Sequence, residues 1–579
     1  MTNMEVELAR ETRSGEKPEE KWVHDSSVDH RGRAPLRAST GVWKAALFII
    51  AIEFSERLSY FGLSTNLIVY LTRVLKEETK TAAKNVNYWV GVTTVMPLLG
   101  GLVADAYLGR FSTVIASTLI YLAGLGLLTM SRFVPELKPS DGSLRVHETV
   151  FFVAMYLISA GTGGHKPALE SFGADQFDDD HAGERIKKMS FFNWWNFGLC
   201  SGLLLGVTAI VYVQDHVGWG AADVILTAVM AASLLVFCHG RPYYRYRVPE
   251  GSPLTPLLQV LVAAFRKRHL PLPADPAELH EAPRTSQKRP LCHTGKLRFL
   301  DRAALVEGVP ETKWVEVSPW RLATVTQVEE TKLVVGMLPI WVGTLAFGLC
   351  VAQASTFFIK QSLVMDRRLG SFVVPPATIF ALAAVGMVVA VVVYEKLLVP
   401  TLRAATGNER GITILRRIGI GMAFSVVAMA VAAVVETERR ARATTAPMSA
   451  FWLAPQYMIL GIGDGFALVG LQEYFYDQVP DSMRSLGIAF YLSVIGASNF
   501  ISGLLITVVD RVTTRLGKGW FDKDLNKSRL DYFYWLLAAI GAANLVVYVY
   551  LASRYTYKNV QKRVASASGD DDDDDLEKK

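Results

Sequence analysis

The chain has 579 residues, of which 51% are hydrophobic and 20% charged, with a mean hydropathy of +0.26 and a formal net charge of +6. The excess positive charge lies in loops and forms no basic patch interleaved with aromatic residues, so no nucleic-acid partner is predicted. The four cysteines form no CxxC pair and the histidines show no metal-ligand spacing, so neither a disulfide framework nor a metal site is predicted.

Apolar residues occur in long blocks rather than in an amphipathic pattern. Each block is long enough to cross a hydrocarbon core of about 30 Å, in some cases with tilt. Twelve spans are predicted, at residues 43–72, 88–107, 112–131, 149–170, 191–213, 221–239, 331–358, 373–396, 411–434, 450–476, 485–509 and 531–553. The sequence therefore predicts an all-α membrane protein with twelve transmembrane helices in two six-helix halves.

Polar segments set the domain boundaries around these spans. The predicted parts are a cytosolic N-terminal tail (1–42), an N-terminal six-helix bundle (43–240), a cytosolic linker (241–330), a C-terminal six-helix bundle (331–553) and a cytosolic acidic tail (554–579). The linker is rich in Pro and charge, and its residues 254–269 are predicted to form an amphipathic helix on the membrane surface.

The orientation follows from the charges of the loops. An even number of spans places both termini on one side, and the loops of that side carry most of the loop Lys and Arg residues. Both termini are therefore predicted to be cytosolic. The N-terminal region is polar before the first span, so no cleavable signal peptide is predicted.

The first span carries ionisable residues where a membrane helix usually has none. Glu53 lies about 15 Å into the span at ~1.5 Å per residue, near the middle of the hydrocarbon core. Charged groups at that depth are costly and usually face an aqueous cavity that serves transport. The residues that share one helix face are Glu53, Glu56, Arg57 and Tyr60. Arg57 can neutralise either glutamate, and a glutamate without this partner becomes a proton acceptor. The pattern predicts a proton-coupled transporter that uses the proton gradient and no cofactor.

A glycine-rich motif follows the second span at residues 100–110, where Gly-Gly, Asp105 and Leu-Gly-Arg110 appear in order. Glycines let helices approach closely, and Asp105 and Arg110 can lock neighbouring helices on the cytosolic side. This segment resembles motif A of the major facilitator superfamily, as does the layout of six plus six spans with a central linker. The resemblance implies a gating role for Asp105 and Arg110.

Further motifs extend over nearly the whole chain. They are Glu53-x-x-Glu56-Arg57 with Tyr60, the run 161–177, the Phe-Phe-Asn-Trp-Trp block 191–195, the Leu-Pro-Ile-Trp block 338–341 and the run 470–480. On these residues the chain resembles a plant member of the proton-coupled oligopeptide transporter family, in the nitrate transporter 1/peptide transporter group. The 191–195 block and the Tyr-Phe-Tyr-Asp-Gln-Val-Pro block within 470–480 are most similar to the fifth plant subfamily.

The resemblance implies roles for several charged residues. Glu53, Glu56 and Arg57 match the motif that relatives require for proton coupling, and the alternative is a buried ion network that only holds the helix. Lys166 matches a lysine that pairs with an acid of the tenth span and contacts substrate, whereas a lysine snorkelling to the interface is the alternative. The partner position is Asp464, where relatives carry glutamate, so the pair is expected to be looser or bridged by water.

The cargo is less well defined by the sequence. The nitrate-binding histidine of a relative corresponds to Val351, which can neither donate a hydrogen bond nor titrate, although a hydroxyl one turn later remains at Ser355. The peptide-binding asparagine of di- and tripeptide carriers corresponds to Cys200. A pocket rich in aromatic residues is expected, which suits a larger organic anion. Its expected members are Tyr60, Phe61, Tyr70, Trp195, Phe357, Phe358, Tyr457 and Tyr491. Nitrate, a di- or tripeptide, a hormone and a specialised metabolite all stay open.

Two more residues have two interpretations each. Glu473 is either a gate acid at an interface or a substrate ligand. Thr113 matches a threonine that switches affinity by phosphorylation in a nitrate-carrying relative, and Arg-x-x-Thr suits a basophilic kinase. The alternative is a first-turn residue without a regulatory role.

Other classes of function follow from these alternatives. A transceptor that transports little is one of them, whereas an enzyme is not predicted because no nucleophile elbow or phosphate-binding loop is found. The expected partners are a small-molecule substrate, protons, the bilayer of the plasma membrane or tonoplast, and a regulatory kinase.

Overall fold

The computed structural model describes residues 22–23, 25, 27–139, 144–178, 181–249, 251–252, 254–273, 275–281, 293–306, 318–406, 412–443, 447–479, 484–517 and 519–555. Contacts divide the chain into two compact units. The helical unit contains residues 1–253 and 337–555, and the linker unit contains residues 254–336 and 556–579. The predicted acidic tail lies outside the described residues, apart from its first two positions.

The described secondary structure is almost entirely helical. The helices are α1 (Val42–Ser64), α2 (Leu67–Arg73), α3 (Thr79–Val103), α4 (Arg110–Phe133), α5 (Leu144–Ala174), α6 (Ala182–Leu205), α7 (Val211–His216), α8 (Trp219–His239), α9 (Leu254–Arg266), α10 (Val325–Gly343), α11 (Leu345–Val351), α12 (Phe357–Leu363), α13 (Ala381–Val393), α14 (Val399–Thr406), α15 (Ile414–Arg442), α16 (Ala454–Gln478), α17 (Arg484–Arg515) and α18 (Leu530–Arg554). Strands β1 (Arg368–Leu369) and β2 (Phe372–Val373) form one short antiparallel hairpin.

All twelve predicted spans fall on helices. Within the described residues, eight helical stretches are long and apolar enough to cross a membrane, or nine if α10 and α11, bent by 45°, form one span. The other three predicted spans correspond to α1 with α2, to α5 and to α16, which contain the ionisable residues of the predicted site. Several helices extend beyond the predicted spans because their outer turns are polar: α3 begins at Thr79 rather than at residue 88, α6 at Ala182 rather than at 191 and α10 at Val325 rather than at 331, and α15 ends at Arg442 rather than at 434.

Two predicted spans are broken helices. The first span breaks after Ser64. Gln214 of α7 donates a hydrogen bond of 3.0 Å to the carbonyl of Gly62, near the broken end. Asn66 in the break donates to the side-chain oxygen of Gln214 at 2.9 Å. The span predicted at 331–358 is in fact three helices, α10 to α12, and ends at Leu363.

Three spans contain a π-helical turn, at Ala104–Leu108, Gly206–Ile210 and Tyr394–Leu398. Such a turn holds one residue more than an α-helical turn and often marks a functional site. The first of them carries Asp105 of the motif that resembles motif A. The second continues α6 and lies against the end of α1, where Gly206 meets the backbone of Leu58 and Gly62.

The two halves of the helical unit meet along α3 and α17. Lys80 pairs with Asp510 at 3.1 Å, and about two turns further along α3 Asn87 donates to Ser502 at 3.0 Å. Phe500 packs against Gly91, where a Cβ atom at position 91 would make a tight contact of 3.0 Å with its ring. Lys80 stands at the beginning of α3, so this contact starts at the end of the bundle away from the termini.

Part of the predicted N-terminal tail packs on the helical unit. Arg245 is fully buried and pairs with Glu184 at 2.6 Å. Arg37 pairs with the same Glu184 at 2.6 Å and with Asp178 at 2.8 Å. Two arginines thus share one carboxylate and attach residues 27–41 to the ends of the helices.

The linker unit has a small core of its own. Its buried residues come from α9, from the 3₁₀ helix Arg298–Ala304 and from the start of α10, and are Val260, Ala263, Ala264, Leu279, Leu300, Ala303, Ala304, Ala323 and Val328. Helix α9 agrees with the predicted amphipathic helix. Its residues Leu258, Leu261 and Phe265 remain exposed on one face, with Arg268 placed over the ring of Phe265.

Candidate functional site

The charged face of α1 is buried as a compact ion network. Glu53, Glu56 and Arg57 are 1%, 0% and 3% exposed. Arg57 pairs with Glu53 at 3.2 Å and directly with Glu56. Its guanidinium lies 5.5 Å from the centre of the Tyr60 ring, which stacks on Trp89 of α3. The α-helical spacing of these residues therefore brings all four predicted side chains together.

Helix α5 closes this network from the side. Thr162 donates to Glu56 at 3.3 Å. Gly163 and Gly100 allow α5 and α3 to touch backbone to backbone, since a side chain at Gly100 would overlap the carbonyl of Gly163. Small residues of this kind are what close helix packing in membranes requires.

His165 lies within the motif run 161–177 but was not predicted to be a site residue. His165 is 0% exposed, and within the part of the chain that the structure describes neither ring nitrogen has a hydrogen-bond partner. One ring nitrogen and one carboxylate oxygen each from Glu53 and Glu56 lie within 4.8 Å of one another. The usable signal was the helical spacing that puts His165 on the same face as Thr162 and Lys166.

Within the described residues, two groups of side chains have a spacing that could hold a metal ion, although no metal site was predicted from the sequence. The first is Glu53, Glu56 and His165, and the second is His293, Asp301 and Glu329 of the linker unit. Each group already contains a basic side chain that pairs with its acids, Arg57 in the first and Lys332 in the second. The positive charge that a metal ion would bring is thus supplied by the protein.

Lys166 and Asp464 do not form the predicted pair in this conformation, since no contact within 4 Å joins these two described residues. The charges that act most strongly on Lys166 are those of Arg57, Glu56, Glu53 and Glu170. Asp464 has one buried carboxylate oxygen without a hydrogen bond among the described groups. Glu170, whose charge acts on Lys166, and Asp464 both act on Tyr491, so the unlike charges of the two halves are linked through this residue without direct contact.

Val351 and Ser355 lie at the end of α11 and in the turn that follows it. Ser355 makes only a long contact, 3.5 Å, with the carbonyl of Ala352. Several aromatic residues expected to line a pocket are instead fully packed: Phe357 and Phe358 are 0% exposed, and Tyr457 donates its hydroxyl to the carbonyl of Ala354. The burial of these rings argues against the predicted aromatic pocket in this conformation.

The motif at 100–110 forms an ion network at the end of the bundle. Arg110 pairs with Asp105 at 3.1 Å and directly with Asp175, which follows α5. Arg247 reaches the other oxygen of Asp175 at 3.3 Å. Burial raises the pKa of Asp175, and the charges of Arg110 and Arg247 oppose this rise. All four residues belong to the N-terminal half, so the contact fixes helices within that half.

Glu473 lies in a similar network of the C-terminal half. It pairs with Arg417 of α15 at 3.4 Å, and Arg417 lies over the ring of Tyr394 at 4.2 Å. This pair joins α15 to α16 within one half. The contact does not bridge the two halves, so it gives no support to a gate between them.

Thr113 is only 3% exposed. Its hydroxyl donates to the carbonyl of Gly109 at 2.9 Å, and its methyl group lies beside Gly164. A kinase has no access to a hydroxyl packed in this way, so phosphorylation would require a different conformation of α4.

Comparisons with known proteins agree on one family. The family model described as the POT family matches residues 111–523. The chain belongs to the POT family. It is 62% identical over 552 residues to Protein NRT1/PTR FAMILY 5.6 of Arabidopsis thaliana, covering 94% of this chain and 96% of the relative. It is 60% identical over 564 residues to Protein NRT1/PTR FAMILY 5.7 of the same plant, covering 94% of both chains.

Solved structures of this family share the fold. A crystal structure of an auto-inhibited POT family peptide transporter superposes with a TM-score of 0.68 at 22% identity, covering 90% of this chain and 98% of that one. The POT family transporter PepTSo gives a TM-score of 0.68 at 19% identity, covering 88% and 98%. The protein is therefore a POT family membrane transporter and not an enzyme, it shares the fold of these solved transporters, and the predicted subfamily is confirmed.

Proposed function

We propose that this POT family member is a proton-coupled symporter that moves nitrate or a small organic solute by alternating access. The observation that carries the proposal is the buried network of Glu53, Glu56 and Arg57 in the middle of the first span. Isolated charges in that position are strongly unfavourable, and a paired network with one acid in excess has a natural way to lose charge, which is to bind a proton.

The contacts between the halves support alternating access. They include Lys80 with Asp510, Asn87 with Ser502, Lys523 with Glu78 at 3.5 Å, Lys360 with Thr72 at 3.2 Å and Thr378 with the carbonyl of Val207 at 3.0 Å. All of them lie in the half of the bundle away from the termini. With cytosolic termini, these contacts close the carrier towards the outside.

A transport cycle follows from these charges. Proton binding to Glu53 or Glu56 releases Arg57 from one carboxylate and increases the positive charge that faces the region of Lys166. An anionic group of the cargo then binds more strongly, and deprotonation after the conformational change favours its release. Movement of one positive charge along an inside-negative potential of ~100 mV contributes about 2.3 kcal/mol, in addition to the pH gradient.

The charges around Lys166 favour an organic solute over nitrate as the main cargo. Lys166 supplies one cation without an ion pair among the described residues, whereas Glu170 and Asp464 supply two acids without one. A cargo with both an anionic and a cationic group balances such a region, and nitrate balances only Lys166. Val351 adds no donor for nitrate either. Nitrate, di- and tripeptides, hormones and specialised metabolites therefore remain the panel to be tested, in the plasma membrane or the tonoplast.

The deciding experiment is an uptake screen in oocytes at acidic external pH. The panel contains labelled nitrate, a mixed dipeptide pool, and hormones and glycosides, and uptake is recorded together with membrane current. A proton-coupled symporter gives an inward current that grows with acidity when its cargo is added. A transceptor binds cargo with little current, and high-affinity nitrate uptake by the natural chain would contradict the preference for an organic solute.

A further inference from the structure

His165 is a buried histidine with unusual surroundings. It stands on α5, is 0% exposed, and both of its ring nitrogens lack a hydrogen-bond partner in the described part of the protein. Buried polar atoms without partners are rare and costly, so each one needs a physical explanation. The explanation has to come from the groups that surround the ring.

The nearest polar groups are the two glutamates of α1. A ring nitrogen of His165 and one oxygen each of Glu53 and Glu56 lie within 4.8 Å of one another. Glu53 and Glu56 each have one further carboxylate oxygen that is buried without a hydrogen bond to any described group. A small movement of the side chains or a single bridging water closes a gap of this size.

The other charged and titratable groups near the ring lie on α1, α4 and α5. Arg57 of α1 forms ion pairs with both glutamates. Tyr121 of α4 is fully buried and is affected by the charges of Glu56 and Arg57. Lys166 and Glu170 lie on the helix of His165 itself, and both interact electrostatically with Arg57.

Counting protons explains why both ring nitrogens cannot have partners while the glutamates are ionised. A neutral imidazole has one N–H, which a carboxylate can accept, and a second nitrogen that needs a donor. Ionised glutamates have no proton to donate to that second nitrogen. A single added proton turns one of them into a carboxylic acid whose O–H donates to the ring, so His165 and the acids become partners.

We infer that His165 is a third member of the proton-binding group and shares the transported proton with Glu53 or Glu56. The inference rests on the proposed function, because it assumes that the proton binds at α1. Groups coupled in this way titrate together, so a change of one member alters the titration of the others. The sharing also explains how a proton can reside in a buried site without leaving a carboxylic acid unpartnered.

The test follows the carboxylic-acid absorption of the purified full-length chain by infrared spectroscopy during an acid titration. This measurement requires no known cargo. The variants are His165→Phe, which keeps the size of the ring but cannot accept a proton or hydrogen bond, and His165→Gln, which can accept a hydrogen bond but does not titrate. His239→Gln, at the exposed end of α8, is the matched control.

The variants are expected to differ in how far the pH midpoint of the carboxylic-acid band moves. His165→Phe moves the midpoint of the carboxylic-acid band to lower pH by about one unit, a tenfold loss of proton affinity. His165→Gln recovers part of this shift, and His239→Gln behaves like the natural chain. Identical midpoints for all four proteins would overturn the inference. If His165→Phe does not fold, the test uses the ring nitrogen signals in the NMR spectrum of the protein labelled with ¹⁵N-histidine. The signal of His165 is identified by its loss in His165→Gln. Glu56→Gln must change this signal, and an unchanged signal overturns the inference.

A failure of the proposed function looks different. If neither Glu53→Gln nor Glu56→Gln changes the carboxylic-acid band seen in the natural chain, the proton does not bind at α1 and the symport proposal loses its site. If either variant removes the band while both His165 variants titrate like the natural chain, proton binding at α1 stands and only the participation of His165 is refuted.

Discussion

Lys80 at the start of α3 and Asp510 near the end of α17 form an ion pair of 3.1 Å that joins the two halves of the helical unit. The side chains are 30% and 23% exposed, so the pair is partly shielded from solvent. A contact of this kind stabilises the conformation in which it is made and must break when the carrier opens on that side.

Reversal of one charge should therefore open the side away from the termini more often. We expect Lys80→Glu to increase the reactivity of a cysteine introduced at Ser355 towards a reagent added from that side. An exposed pair contributes up to about 1 kcal/mol, which corresponds to about a fivefold change. Lys80→Glu combined with Asp510→Lys should restore the original reactivity.

The matched control for this prediction is Lys523→Glu. Lys523 pairs with Glu78 at 3.5 Å in the same region, but its side chain is 81% exposed. We expect a smaller change because the pair is screened by solvent. Equal effects of both reversals would indicate a general charge effect instead of a specific contact.

Glu56→Gln should abolish acid-driven uptake while the protein remains folded in the membrane. Gln has nearly the same shape and still accepts the hydrogen bond from Thr162, but it cannot exchange a proton. Uptake of whichever cargo the screen identifies is measured against external pH. Glu148→Gln, at an exposed position of α5, is the control. A full pH dependence in Glu56→Gln would rule out proton coupling at this residue.

The unlike charges of Lys166 and Asp464 should act at different stages of transport. Lys166→Ala is expected to eliminate uptake of any cargo with an anionic group, since the other nearby cation, Arg57, is already paired. Asp464→Asn should slow turnover more than it weakens binding, because Asp464 makes no contact with Lys166 here and would meet it only in another state. Uptake kinetics of both variants separate an effect on binding from an effect on turnover. Normal transport by both variants would show that the two residues have only a structural role.

A histidine at position 351 should strengthen nitrate uptake. Val351 lies at the end of α11 and offers no hydrogen-bond donor. One charge-assisted hydrogen bond contributes on the order of 1.5–3 kcal/mol. Val351→His is compared with Val351→Phe, which adds a ring without a donor, using labelled nitrate. If both variants behave alike, the added ring rather than the hydrogen bond is responsible.

Glu77 should make the stability of the protein depend on pH. Burial raises the pKa of this carboxyl from 4.5 to about 7, and the charge of Glu148 adds to the rise, while hydrogen bonds from Asn85 at 3.0 and 3.1 Å oppose it. The folded state therefore holds a proton that the unfolded chain loses. Stability from this group is complete below about pH 4.5 and is lost as pH rises through 7.

Thermal unfolding in detergent at a series of pH values measures this effect. Glu77→Gln should flatten the decline between pH 4.5 and 7, whereas Glu136→Gln, at an exposed position beyond α4, should not. A decline that is as steep in Glu77→Gln as in the natural chain would assign it to other groups.

The spans and the charged face of α1 could be predicted because both depend on short-range periodicity. Apolar blocks determine where a helix can cross the bilayer, and spacings of three and four residues determine that Glu53 and Glu56 both reach Arg57. The break after Ser64 was not predictable in the same way. It depends on Gln214, about 150 residues later, which supplies the hydrogen bonds that a break requires.

The parts of the site that were missed depend on the conformation or on neighbouring helices. Pairing of Lys166 with Asp464 depends on the conformation of the carrier, and the sequence does not distinguish one conformation from another. The unpartnered ring of His165 is visible only once α5 is placed against α1. The packing of Phe357, Phe358 and Tyr457 likewise follows from tertiary contacts that composition does not reveal.

The π-helical turn at Gly206–Ile210 has a consequence for the length of related chains. A helix that already contains one surplus residue tolerates the loss of a single residue at that place by becoming regular. Conversion of the turn to a regular α-helix without such a deletion would instead rotate α7 by about 100° relative to α6. Gln214 would then leave the broken end of α1, and the carbonyl of Gly62 would lose its hydrogen-bond donor. Insertion and deletion in this region are thus tied to the first span, far away in sequence.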